Sequence, residues 1–370
     1  MKVTRRDFLK YSGLATVAAG VGGLSPLAMA ASKYSASNPL KVGVGIIGEA
    51  GEIGWSHQHV LGADAIKKAL GNKVKVTVVD HVDTNEEAVN IFRNLALHGS
   101  DLVIGTSFSH FAPLEKVARS FPKTAFMCAS GTGTTANLGV FECRYYEPAY
   151  VSGAAAAYMT KSNKLGFIGP FPIPDILAPG NAFLRGAQSV NPKITCHMIY
   201  LDSFNDPGKE RQAAKVLVGE GCDVLWPMTD TPSGIQYAGT HGAWGVCYAS
   251  DQAKFANGRE LTGVIMDWDS QYVGNAMAVF NGTWKPANTW NGFASGVAVL
   301  APLNKAIPAA TVAKLEQLKK QIEANQMLPW AGPIHDQKGK LRVPKGTHMT
   351  EAQVRSMGWA VQGIIGKVNA

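Results

Sequence analysis

Aromatic, hydroxyl and carboxylate side chains recur together in short loops, each placed directly after an apolar run. Residues 48–57 carry Trp55, and Thr106-Ser107-Phe108 and Ala129-Ser130-Gly131-Thr132 follow. Further along stand residues 169–175 with Phe171, then Thr229-Asp230-Thr231, Ser250-Asp251 and Asp267-Trp268-Asp269. A flat ring offers a stacking face worth about 1–3 kcal/mol to a base. The carboxylates and hydroxyls can read ring N–H and exocyclic amino donors. A phosphorylated ligand would call for Arg, Lys or a helix N-terminus with free N–H groups, and these loops hold almost no cation. The candidate ligand-binding residues are therefore Trp55, Ser107, Phe108, Ser130, Phe171, Thr229, Asp230, Ser250, Asp251, Asp267 and Trp268. The ligand they suit is a flat heteroaromatic of the purine type.

The elements that carry these loops alternate. Apolar runs at 42–47, 74–79, 102–105, 124–128 and 138–143 read as strands, and amphipathic stretches at 54–70, 83–99 and 113–119 read as helices. Asp83 and Thr84 are cap candidates with Glu86 and Glu87 three residues on. The alternation restarts after Pro148. Strands are expected at 165–168, 194–201, 223–227, 245–249 and 261–266, and helices at 181–190 and 207–219, with a short one before 245. This is the pattern of parallel sheets covered by helices on both faces. It predicts an α/β protein of two Rossmann-like lobes, with the ligand beyond the carboxyl ends of the strands. The first lobe is expected over 38–145 plus 267–292, and the second over 146–266 plus 293–370. In the tail the pattern predicts helices at 311–325 and 350–367, and a turn at Asp336-Gln337-Lys338-Gly339.

The amino terminus has another purpose. Thr4-Arg5-Arg6-Asp7-Phe8-Leu9-Lys10 precedes a Gly/Ala-rich apolar stretch that ends in Ala28-Met29-Ala30. This is the layout of a cleavable twin-arginine signal over residues 1–30, which predicts export to the periplasm. The stretch is too short and too broken by glycine and Pro26 for a spanning helix. The whole chain of 370 residues has a formal charge of +8, of which the first thirty hold +3 (Lys2, Arg5, Arg6 and Lys10 against Asp7), leaving +5. No block of like charge stands out, so a nucleic-acid partner is not expected. The five cysteines lie in β-like runs without C-x-x-C spacing and read as buried small hydrophobes.

Several separated motifs share one resemblance. Gly54-Trp55-Ser56-His57-Gln58-His59, the run from Arg144 to Gly153, Phe171-Pro172-Ile173-Pro174 and Trp330-Ala331-Gly332-Pro333-Ile334 resemble the basic membrane protein family. Its members are substrate-binding components of ABC importers for purine nucleosides and bases. The resemblance implies a type I periplasmic-binding fold with three crossovers and a hinge. It also implies a purine ligand, a permease in the inner membrane as partner, no cofactor and a monomer. It places Trp55 where the family's first-loop aromatic stacks on the base. Ala249 stands where the first Asp of an Asp-x-Asp-Gln run holds the ribose, which favours a free base such as adenine. Ser56 stands where an Asn is usual.

Three other chemistries fit the residues less well. Gly43-Val44-Gly45-Ile46-Ile47-Gly48 has the spacing of a dinucleotide fingerprint, which would suit an exported NAD(P)-dependent oxidoreductase. Its glycines, however, lie inside an apolar run instead of the turn before a helix. A receptor for another solute such as an amino acid would want an arginine for the carboxylate, and Arg144 and Arg185 both read as structural. His57 and His59 are two apart, which does not put them on one helical face, and no ligand set for a metal accompanies them.

Overall fold

The computed structural model describes residues 33–82 and 85–368. The expected export signal and the Asp83/Thr84 cap lie outside the described residues. The first half runs β1 (Leu40–Gly45), α1 (Gly54–Leu70), β2 (Val74–Val79), α2 (Asn85–Leu97), β3 (Leu102–Gly105), α3 (Phe111–Ala118), β4 (Ala125–Ala129) and β5 (Leu138–Cys143). The second runs α4 (Tyr146–Met159), β6 (Lys164–Gly169), α5 (Pro174–Val190), β7 (Thr195–Tyr200), α6 (Pro207–Gly219), β8 (Val224–Pro227), α7 (Ser233–Thr240), β9 (Trp244–Ala249) and β10 (Glu260–Met266). Then come α8 (Asp269–Phe280), β11 (Asn288–Asn291), β12 (Ala298–Leu300), α9 (Ala309–Glu323), β13 (Ile334–His335), β14 (Leu341–Val343), α10 (Glu351–Arg355) and β15 (Ile364–Ile365).

Besides a small antiparallel pair, β13 with β14, two large sheets form, in the orders β11-β5-β4-β3-β1-β2 and β12-β10-β9-β8-β6-β7-β15. Every pair in these two is parallel except β10 with β12. The central strands β3, β4, β5 and β8 are buried along their whole length, as sheets covered on both faces require. The chain passes between the sheets three times: from β5 to β6, from β10 to β11, and from β11 to β12. In the second lobe α4 and α5 approach backbone to backbone. A Cβ on Gly153 would fall 1.8 Å from the Phe183 carbonyl oxygen, and one on Gly186 would fall 1.9 Å from that of Tyr150. The alanine-rich sequence of α4 serves this contact.

Two helices differ from the pattern's bounds. Helix α5 starts at Pro174, seven residues before the expected 181, because Pro174 occupies the first turn, where its missing N–H costs nothing. Pro179 lies inside that helix without ending it. The last helix stops at Arg355 instead of running to 367. Thr350 and Gln353 form a capping box at its start, but Gly363 and Gly366 have φ of 98° and 136°, incompatible with a continuing helix. That stretch adds β15 to the edge of the second sheet beside β7. Asn181 secures it, donating to the Trp359 carbonyl and accepting from the Val361 N–H.

Candidate functional site

The carboxyl ends of the strands in the two sheets face one another across a cleft with about 50 Å³ of internal space. The first lobe contributes Ile47 after β1, Ser107 and Phe108 after β3, Ser130 after β4, and Trp55 and Tyr145. The second contributes Ile173, Asp175 and Ile176 after β6, Phe204 after β7, Met228 and Asp230 after β8, and Tyr248 from β9. No Lys, Arg or His lines the cleft among the described residues.

Trp55 is half-buried at the start of α1. Its indole N–H donates to the Thr106 carbonyl at 2.6 Å, and its ring packs edge-on against His59 and Trp268 with centroids 4.7 and 5.7 Å away. The supports are themselves fixed. His110 accepts from the Thr106 N–H through Nδ1 and so donates from Nε2 to the Val82 carbonyl; burial pushes its pKa down to about 4 and keeps it neutral. His59 is buried, stacks on Trp268 at 5.1 Å and pairs through Nδ1 with the Tyr272 hydroxyl.

The amino terminus of α1 is capped from the other lobe. Ile53, the residue at the cap position, offers no side-chain acceptor. The Gly54 N–H donates instead to the Ser250 hydroxyl at 2.8 Å, and the Trp55 N–H to the Asp230 carboxylate at 2.7 Å. On the exposed edge of the same loop Glu52 pairs with Lys254. These contacts hold the first lobe's opening loop against the second lobe. Burial pushes the Asp230 carboxyl up to about 6, against the hydrogen bonds from Trp55 and Ser56. The loop that carries Asp230 is anchored by buried Glu210, which accepts from the Thr231 hydroxyl and from the Gly234 N–H at 2.7 Å.

Of the residues expected from sequence, the structure brings Trp55, Ser107, Phe108, Ser130 and Asp230 to the cleft. The others stand elsewhere. Trp268 is a core residue at 1% exposure, between Trp55, His59 and Phe141. Phe171 packs on Phe204 at 5.2 Å, behind the lining. Thr229 is buried beside Glu210, and Ser250 is committed to the Gly54 N–H. Asp251 and Asp267 are exposed and accept from N–H groups two residues on, in their own turns. Tyr145, Asp175, Phe204 and Tyr248 were not among the candidates. Asp175 is in the first turn of α5, directly after the loop that carries Phe171, whose ring is the more conspicuous binding feature in the sequence.

The rival chemistries find no support in this geometry. Gly43 and Gly45 lie within β1, where added Cβ atoms would meet Leu95 at 2.9 Å and Phe92 at 2.6 Å; they serve strand–helix packing, and α1 begins only at Gly54. Arg144 is bound to the Trp290 carbonyl and to Glu147, and Arg185 to the carbonyls of Pro329 and Ala331. All five cysteines are buried and unpaired. Among the described residues no group of His, Cys, Asp or Glu could hold a metal ion, and no helix is long and apolar enough to cross a membrane.

Two parallel-sheet lobes, three crossings and a cleft at the strand ends define a fold of the periplasmic-binding type. Residues 40–328 match the family of PnrA-like ABC transporter substrate-binding proteins, the Bmp family. The chain belongs to that family, which is one of binding proteins and not of enzymes. It is 35% identical over 333 residues, 90% of this chain and 95% of the other, to a purine-binding protein of Brucella abortus. It is 29% identical over 77% of its length, and 73% of the other's, to a Haloferax volcanii protein provisionally described as an ABC transporter glucose-binding protein. Among solved structures, an ABC transporter solute-binding protein from Aeropyrum pernix has a TM-score of 0.69 at 18% identity, covering 80% of this chain and 94% of that one.

Proposed function

We propose that this chain captures a free purine base, adenine or a close analogue, and delivers it outside the cytoplasm to the permease of an ABC importer. The observation that carries the reading is the narrow cleft without cations, lined together by the half-buried Trp55 and the acidic residues Asp175 and Asp230. Ala249 supports a free base over a nucleoside, because a sugar would find no carboxylate there. A hydrogen bond to a charged group contributes about 1.5–3 kcal/mol. Adenine should therefore bind at least about ten-fold more tightly than adenosine, as read by titration calorimetry. The kinship with a purine-binding protein points the same way. Glucose belongs in the same titrations, since a tryptophan with carboxylates can also hold a sugar. Tight glucose binding with no response to adenine would overturn the reading.

Delivery outside the cytoplasm rests on the paired arginines. Changing Arg5 and Arg6 together to lysine should leave unprocessed precursor in the cytoplasm, visible in cell fractions by immunoblot. Normal processing of that variant in the periplasm would show that export uses another route.

A further inference from the structure

A cluster of oxygen atoms crosses between the lobes at the wall of the cleft, where Ser130 and Asp175 of the lining meet Glu142. The Ser130 hydroxyl, at the end of β4, is 2.6 Å from Asp175 Oδ2 of the second lobe and 3.0 Å from Glu142 Oε1 on β5. The two carboxyls are also near enough to bond each other. Ser130 is held with φ of 68°, an uncommon value for a residue with a side chain. A hydroxyl has one hydrogen and can donate it to one partner only. If Ser130 donates to Asp175, its contact with Glu142 requires a hydrogen from the Glu142 carboxyl. If it donates to Glu142, Asp175 must supply that hydrogen. Either way the trio needs one proton beyond the hydroxyl's own, or lone pairs face each other across a hydrogen-bonding distance.

Charge balance leads to the same count. Glu142 is 5% exposed, and its other oxygen is 2.7 Å from the Arg355 guanidinium. One guanidinium against two carboxylates leaves a buried negative charge, whereas one shared proton removes it. Arg355 is itself shared with the exposed Glu351 and lies over the Trp290 ring. The other titratable groups facing the trio are Tyr145, Tyr248, Cys128 and Cys143. Burial raises all four, so they stay protonated. Burial, then the charge of Asp175, raises Glu142 from 4.5 to about 8.

We propose that Glu142 is a positioning residue for the ligand cleft: with Ser130 it shares a single proton with Asp175 across the two lobes, so that closing on the base takes up a proton. The proposal rests on the purine reading for its ligand, but the proton belongs to the protein. Separating the lobes exposes Asp175 and Glu142 to solvent and lets both ionise. Closure then binds a proton at any pH above the open-state value and below about 8.

Adenine titrations between pH 6 and 8.5, in two buffers of different ionisation enthalpy, test this. In the wild-type protein, affinity should fall by up to about ten-fold per pH unit towards pH 8 and level off above it, with proton uptake on binding. Glu142→Gln, whose amide donates without titrating, should lose both the slope and the uptake. Arg355→Met removes the cation that favours ionisation and should move the midpoint to higher pH, which a merely structural role would not do. A wild-type slope retained in Glu142→Gln would overturn the proposal. Small-angle scattering of the ligand-free protein separates this from the purine assignment. Because closure takes up a proton, lowering the pH from about 8 to 6 should favour the closed form and shrink the wild-type radius of gyration, and leave that of Glu142→Gln unchanged. If adenine binds neither protein but that difference is present, the purine assignment fails and the shared proton stands. If the difference is absent, the shared proton fails.

Discussion

Gly54→Ala should weaken purine binding by about a hundred-fold or more while leaving most of the folding stability in place. Gly54 has φ of +87°, where a side chain costs about 1–2 kcal/mol. That strain acts whether the lobes are together or apart, and it sets the change in melting temperature. The larger effect falls on the closed form alone. A Cβ at this position would come within 2.7 Å of Asp230 Oδ1 and 3.3 Å of the Asp230 Cα. Asp230 has little room to retreat, because its loop is held through Thr231 and Gly234 by Glu210. The lobes would have to separate, losing the bonds from Gly54 to Ser250 and from Trp55 to Asp230. A bond to a charged group contributes about 1.5–3 kcal/mol and a neutral one about 1 kcal/mol, together enough for a hundred-fold loss at about 1.4 kcal/mol per factor of ten. Small-angle scattering should show the wild-type radius of gyration shrinking on addition of adenine and that of the variant unchanged. Asp230→Asn is the graded companion: its amide oxygen can still accept from Trp55, so it should close, with about five- to ten-fold weaker binding, from the loss of charge assistance. Wild-type closure and affinity in Gly54→Ala would show that the cap from the second lobe does not govern capture.

The same cap shows where sequence reasoning reaches its limit. The apolar runs of β1, β3 and β4 and the bounds of α1 follow from patterns a few residues long, since a strand buried on both faces must be apolar throughout and a helix must repeat every three to four residues. That the strand ends would face a ligand follows from the class of sheet. Which side chain of a strand-end loop turns inward does not. Asp267 and Trp268 are neighbours, yet one caps its own turn in solvent and the other is driven into the first lobe's core, because the chain crosses between sheets there to begin α8. Asp251 is spent in the same way on the turn after β9. Asp230 was legible as a cleft residue, but its use as a cap for a helix 175 residues earlier in the chain depends on two lobes meeting. Glu142 did leave a trace: a single carboxylate in the buried run Val140-Phe141-Glu142-Cys143 needs a partner. Its partners come from the second lobe and from Arg355 in the tail, so only the assembled fold identifies them. The tail's last helix ends earlier than its sequence pattern predicts for a related reason. Its glycines suit a strand edge on the second sheet that no local pattern announces.

Trp55→Ala should reduce both purine affinity and stability, and the ratio of the two losses reports how the ring is used. The face turned to the cleft would stack on the base, so its removal should weaken binding by about 1–3 kcal/mol, roughly five- to 150-fold. The ring also has structural partners. It packs on His59, Trp268 and Tyr145, and its N–H bond to the Thr106 carbonyl ties α1 to the end of β3. Truncating a fully buried tryptophan costs about 3–5 kcal/mol. This ring is only partly buried, so a smaller loss, about 2 kcal/mol, is expected in chemical denaturation. Trp55→Phe separates the two uses. A phenyl ring keeps a stacking face but cannot donate to Thr106, so its stability loss should be about 1 kcal/mol, with affinity reduced less than in the alanine variant. An alanine variant that loses stability yet binds adenine as the wild type does would make Trp55 a wall of the first lobe. The base would then have to stack elsewhere, and Tyr145 or Phe204 would be the next ring to change.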